Sequence, residues 1–159
     1  MPNTQFRRLY LVRHGEAKPK NEDPQRGLTE AGHANVSRMA NWGAASGIRV
    51  DEIRHSGKLR AQQTAEIFAG ALGARAHATP GLGPNGDDAN IAGAIASEDA
   101  EIMLVGHLPF LERLTALLTV GNAASSVVTL DAGALLELTL ADDAWRVTCL
   151  MQPRLLADR

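Results

Sequence analysis

Two uninterrupted apolar runs, Leu9-Tyr10-Leu11-Val12 and Ile102-Met103-Leu104-Val105, are each followed two residues later by a histidine, His14 and His107. A run without polar alternation fits a strand buried on both faces, and such strands belong to parallel sheets covered by helices. The two runs are therefore expected in one sheet, with both imidazoles delivered to the same edge. In open α/β sheets the functional crevice lies beyond the carboxyl ends of the parallel strands, which is where these histidines fall.

The intervening chain alternates helix and strand. Thr29 reads as a helix N-cap, with Ala31, Ala34, Val36, Met39 and Trp42 at roughly helical spacing before the pattern stops around residues 43–47. A second strand is expected over residues 50–55 and a second helix over residues 59–72, with Ile67, Phe68, Ala71 and Leu72 as its apolar stripe. Residues 75–79 read as a third short strand, residues 80–86 as a loop dense in Gly and Pro, and residues 87–96 as a helix. Leu108, Leu111, Leu114, Leu117 and Leu118 place another helix directly after the second apolar run. Residues 126–140 and 145–151 then read as two antiparallel strands around an Ala141-Asp142-Asp143 turn. The order predicts an α/β sandwich with a mixed sheet, one domain over residues 1–159.

Composition removes several function classes. With 16 Lys+Arg against 18 Asp+Glu the net charge is -2, so no global field holds the chain on nucleic acid or an anionic membrane. The first apolar run is far too short for a signal peptide or a membrane span, and a cytoplasmic location is expected. The lone Cys149 has no partner for a disulfide or a zinc site and reads as a small buried apolar residue.

Around the two histidines the sequence gathers Arg13, the segment Ser56 to Arg60, and Gly106. Two guanidinium groups and two imidazoles in one pocket suit a dianionic phosphoryl group. Arginine supplies planar paired donors for phosphate oxygens, and a neutral imidazole is a competent nucleophile near neutral pH. These residues do not say which histidine attacks. Glu16 could join the histidines as a metal site, but two arginines there would repel a cation, so no metal or other cofactor is expected. His55 reads as a strand-end surface residue, His33 and His77 as solvent-facing, and Lys58 as an ordinary solvated lysine.

Four ordered motifs carry a resemblance. Leu11-Val12-Arg13-His14-Gly15-Glu16-Ala17, Arg26-Gly27-Leu28-Thr29-Glu30-Ala31-Gly32, Ser56-Gly57-Lys58-Leu59-Arg60-Ala61-Gln62-Gln63-Thr64 and Gly106-His107 together resemble the histidine phosphatase, or phosphoglycerate mutase-like, superfamily. The resemblance implies a three-layer α/β/α sandwich with a mostly parallel central sheet and an antiparallel C-terminal strand. It implies that His14 is the phosphorylated nucleophile, that Arg13, Arg60 and His107 bind and polarise the phosphoryl group, and that hydrolysis runs through phospho-His14 without a metal. Arg26 is read as either a phosphate or substrate contact or a surface arginine. Gly27 and Gly57 stand where the family commonly has proline, so both loops are expected to be looser.

Within the superfamily the size, together with Met39-Ala40-Asn41-Trp42, Asn85-Gly86-Asp87 and His107-Leu108-Pro109, is most similar to the short SixA-type phosphohistidine phosphatases. Only about twenty residues, 79–98, lie where larger relatives insert a lid, so the pocket is expected to be open. Ester-cleaving relatives carry a glutamate acid in a stretch that here reads Leu82-Gly83-Pro84, with Asp87 or Asp88 as a substitute acid or a helix N-cap. A phosphoramidate asks less of an acid, because its P–N bond is weak and solvent can protonate the leaving imidazole. The expected activity is removal of phosphate from phosphohistidine in a protein partner, such as a histidine phosphotransfer domain of bacterial signalling, by a chain that nothing requires to be more than a monomer. The alternatives are a small-molecule phosphomonoester phosphatase and a catalytically idle phosphate-binding module.

Overall fold

The structure is a computed structural model that describes residues 6–157. Strand β1 (Arg7–Arg13) lies inside a six-stranded sheet, with α1 (Glu30–Ala45), β2 (Glu52–His55), α2 (Leu59–Leu72), β3 (Arg75–Ala78), α3 (Asp88–Ala96), β4 (Ile102–Gly106), α4 (Phe110–Val120), β5 (Leu135–Ala141) and β6 (Ala144–Met151) following in order. The strands run β3-β2-β4-β1-β5-β6 across the sheet. The first four are mutually parallel and β5 is antiparallel to both its neighbours. A short 3-10 turn (Pro153–Leu156) ends the described chain.

The unbroken apolar character of β1 and β4 has the expected consequence. Successive side chains point to opposite faces, so each strand feeds two cores. Leu9, Leu11, Ile102 and Leu104 pack on one side with Phe110, Leu111 and Leu114 of α4 and Ile95 of α3. Tyr10, Val12, Met103 and Val105 pack on the other with Val36, Met39 and Ala40 of α1 and Ala61, Ala65 and Phe68 of α2. Three layers result, α3 and α4 below the sheet and α1 and α2 above it. The chain changes face between β1 and β4, the switch point at which a crevice opens in such sheets.

Helix limits follow local chemistry. Thr29 caps α1 by accepting the Gly32 N–H at 2.9 Å, and α2 ends where Gly73 turns left-handed at φ 67°. Asp87 caps α3 by accepting from Asn90 N. The loop between β3 and α3 is anchored to the sheet by Leu82, which is buried in the core beside Gly106. Among the described residues no helix is long and apolar enough to cross a membrane.

Three expectations need correction. Residues 126–134 are irregular rather than strand, and β5 begins only at Leu135. The backbone of residues 129–131 bonds to the side chains of Arg13, Glu112 and Gln152, not to a neighbouring strand. His55 is buried, because its strand lies between β3 and β4 and its Nδ1 accepts the Gly57 N–H at 3.1 Å. Cys149 is half-exposed, since β6 is an edge strand, and burial together with the Glu137 charge raises its thiol pKa.

The start of α1 lies directly on the loop that follows β1, and a Cβ on Gly32 would sit 2.2 Å from the Glu16 carbonyl oxygen. Gly32→Ala is therefore expected to lower unfolding free energy by about 2 kcal/mol, because backbone on both sides must move. Gly70→Ala, on an exposed turn of α2 with nothing near the added carbon, should raise stability by about 0.5 kcal/mol or more. Denaturant unfolding of the two variants reads the contrast directly.

Candidate active site

Three adjacent parallel strands end within one residue of each other. The pairing aligns Arg13 with Gly106 and His55 with Val105, so His14 and His107 leave the sheet at one level and Ser56 leaves it one residue lower, beside Gly106. The His14 N–H donates to the Gly106 carbonyl at 3.0 Å, fixing the first turn beyond the strands. The two imidazole centroids are 4.9 Å apart and tilted by 51°. Ser56 Oγ lies 2.6 Å from His107 Nε2.

The remaining motif residues hold this edge in place. Gln63 and Thr64 reach from α2 to two separate loops, Gln63 Oε1 accepting the Leu28 N–H at 2.7 Å and Thr64 Oγ1 accepting the Gly15 N–H at 3.0 Å. Gly15 has no room for a side chain, since a Cβ there would meet Val36 Cγ2 at 2.6 Å. Gly57 takes φ 89°, which proline with its fixed negative φ could not adopt, and its bond to His55 tethers the turn. Gly27 is likewise tethered, its N–H donating to Asp23 Oδ2 at 2.8 Å. Both loops are thus hydrogen-bonded within themselves.

A hydrogen bond assigns the His14 tautomer. His14 Nδ1 lies 2.8 Å from the Gly15 carbonyl, which can only accept, so Nδ1 carries the proton and Nε2 keeps its lone pair. Ser56 Oγ accepts from Lys58 N at 3.3 Å and bonds His107 Nε2, a pair in which either atom can donate, and this leaves His107 Nδ1 over. That nitrogen is buried without a partner, as are Arg13 Nε and Arg60 Nε. Of the four such nitrogens among the described residues, only Arg38 Nε lies elsewhere, so unmet buried nitrogens concentrate at this site.

Both rings are held neutral. Burial is the main cause for His14, with Arg60, Arg13 and Arg26 adding to it against the opposing Gly15 bond, and its pKa is pushed down to about 4. Burial again leads for His107, followed by His14, Arg60, Lys58 and Arg26, and its pKa falls to about 3. Burial and the Arg26 charge also lower the Arg60 pKa. The site is thus an excess of fixed positive charge around two uncharged rings, an arrangement that attracts an oxyanion and leaves a nitrogen lone pair available.

The expected residues are placed as follows. Arg13, His14, Arg60 and His107 share the edge, and the half-buried Arg26 is near enough for its charge to act on both histidines and on Arg60. Arg26 adopts φ 53°, and its Nε donates to the Lys18 carbonyl at 3.1 Å. Lys58 is exposed, yet its charge also reaches His107. Glu16 turns to the Thr29 hydroxyl at 3.1 Å, and among the described residues no three His, Cys, Asp or Glu side chains cluster as a metal site would require. Asp87 is spent on its helix cap, and the buried Asp88 pairs with Arg113 at 3.1 Å. His33 and His77 are exposed. Sequence reasoning missed Ser56 as the partner of His107, which was detectable from its place one residue beyond a strand end.

Comparison with known proteins agrees with this geometry. The family model described as histidine phosphatase superfamily (branch 1) matches residues 9–83. The phosphohistidine phosphatase SixA of Escherichia coli is 31% identical over 137 residues, 77% of this chain and 85% of that protein. An uncharacterized protein of Picosynechococcus is 37% identical over 111 residues, 65% of this chain and 67% of that one. Among solved structures, that of the protein histidine phosphatase SixA complexed with tungstate superposes with a TM-score of 0.82 at 26% identity, covering 94% of this chain and 99% of that one. The chain belongs to the histidine phosphatase superfamily, which supports a phosphatase activity, and its fold is phosphoglycerate mutase-like.

The depressed pKa values have a stability consequence. Between the ordinary histidine value of 6.5 and the folded values of about 4 and 3, the unfolded chain binds protons that the folded chain does not. Stability from these two rings is therefore complete above about pH 6.5 and is lost as pH falls toward 4 and then 3. Imidazole nitrogen NMR should show both rings neutral at pH 5.5, with His14 singly protonated at Nδ1; titration near 6.5 would contradict the burial argument.

Proposed function

We propose that this histidine phosphatase, acting as one domain over its whole length, is a metal-independent hydrolase that takes phosphate from phosphohistidine on a partner protein. The observation that carries the reading is the grouping of unmet nitrogens on Arg13, Arg60 and His107 around a histidine whose Nε2 lone pair is free. An incoming phosphoryl group supplies acceptors for the two guanidinium nitrogens and, with the ring proton on Nδ1, for His107. His14 Nε2 then attacks phosphorus, the P–N bond to the partner's imidazole breaks, and that imidazole takes its proton from solvent. Phosphorylation makes the His14 ring cationic, and the Gly15 carbonyl on Nδ1–H stabilises that charge. Water attacks phospho-His14 in the second step, releasing inorganic phosphate and restoring the neutral ring.

The choice of phosphohistidine over an ester rests on the missing acid. Pro84 stands where ester-cleaving relatives have a glutamate, and Asp87 and Asp88 are both engaged in local structure. An ester oxygen leaves poorly without a proton, whereas an imidazole leaves readily. Likeness to SixA points the same way. A short folded segment in place of a large lid leaves an approach for a phosphorylated side chain on another protein.

Phosphate release from a phosphohistidine-bearing phosphotransfer domain, compared with release from an aryl phosphate with chelator present, tests the reading. Fast release from the protein alone is expected. His14→Ala should reduce it by about four orders of magnitude or to background, and Arg60→Ala by about a hundredfold or more. Efficient aryl phosphate hydrolysis would instead indicate a small-molecule esterase, and phosphate binding without turnover an idle binding module.

A further inference from the structure

The irregular segment 129–131 is held almost wholly by side chains, and its bonds lead to the site. Arg13 Nη1 donates to the Leu130 carbonyl at 2.8 Å. At the other end of the same peptide plane, the Asp131 N–H donates to Gln152 Oε1 at 2.9 Å. The next plane back is held in the same fashion: Gln152 Nε2 donates to the Thr129 carbonyl at 2.7 Å, and the Leu130 N–H donates to Glu112 Oε2 at 3.0 Å. All four polar groups of two successive peptides are thus taken by Arg13, Gln152 and Glu112. Gln152 is 91% buried by its 9% exposure and is the one side chain that bonds both planes.

We propose that Gln152, supported by Glu112, is a positioning residue that orients the Arg13 guanidinium for the phosphoryl group. Arg13 has an unmet Nε and one Nη1 bond, to the Leu130 carbonyl, so the placement of that carbonyl sets the direction of the fork. Guanidinium recognition of a phosphoryl group is directional, and a small rotation of the fork misaligns its donors. The Leu130 carbonyl is also polarised by the Asp131 N–H bond to Gln152, since hydrogen bonds through one peptide strengthen each other. Gln152 directly follows β6 and Glu112 lies in the first turn of α4, both outside the residues matched by the family model. The proposal rests on Arg13 being a phosphoryl ligand, as argued above.

Calorimetric titration with orthovanadate, a trigonal-bipyramidal mimic of phosphoryl transfer, tests it in a double-mutant cycle. Gln152→Leu should weaken orthovanadate binding about tenfold in the parent and by less than about twofold in an Arg13→Ala background, because the two residues act through one element. Equal loss in both backgrounds, or no loss in the parent, would overturn the proposal. If Arg13→Ala itself leaves affinity unchanged, the phosphoryl-ligand reading of Arg13 fails and the proposal fails with it. Should Gln152→Leu not fold, Glu112→Leu and Glu112→Gln carry the same cycle. Only the latter keeps an oxygen for the Leu130 N–H, and it should stay within about twofold of the parent while Glu112→Leu loses several-fold. Matching losses for both Glu112 variants would also overturn it.

Discussion

Parallel pairing of β1, β4 and β2 is the constraint on which the rest depends. Because Arg13 is level with Gly106 and His55 with Val105, neighbouring strands release His14 and His107 at the same height, with Ser56 one residue short of it. The register is secured by the apolar faces: a slip of one residue would turn Leu9 and Leu11 into the core that now holds Tyr10 and Val12. Two cores built from alternate residues of the same strands thus specify the distance between two imidazoles. Chemistry at the edge is a consequence of packing in the middle.

The second constraint is electrostatic. Burial next to fixed guanidinium charge keeps both rings neutral, so positive charge stays on the arginines and a lone pair stays on His14 Nε2, the division of labour that the proposed function requires. A protonated His14 would be a better ligand for phosphate and no nucleophile. The unmet nitrogens of Arg13, Arg60 and His107 are buried polar groups that cost stability in the folded chain, and on the proposed function a phosphoryl oxyanion is the partner they lack. Placing that cost at the substrate position is how a fold can hold binding capacity in reserve.

The sequence made the layers, the helix N-caps and the four clustered residues legible because each rests on a local pattern. Leu9 to Val12 fits a doubly buried strand, and Thr29 and Asp87 stand at helix starts as capping residues do. Residues 126–134 misled because Val127, Val128 and Leu130 have strand-like character while their backbone bonds go to side chains far away in the chain. His55 misled because a histidine at a strand end looks exposed until the strand is known to lie inside the sheet. Gln63 and Thr64 were recognisable as a motif, but their work, tying α2 to the loops around Gly15 and Leu28, is a tertiary matter.

The central claim is that His14 Nε2 takes the phosphoryl group. Rapid quenching during turnover of a phosphohistidine-bearing protein, followed by peptide mass analysis, tests it most directly. The account predicts phosphate on His14 that survives alkali and is lost in acid, as a phosphoramidate must be. Turnover with no phosphorylated enzyme at any quench time, or phosphate found on His107 instead, would contradict it.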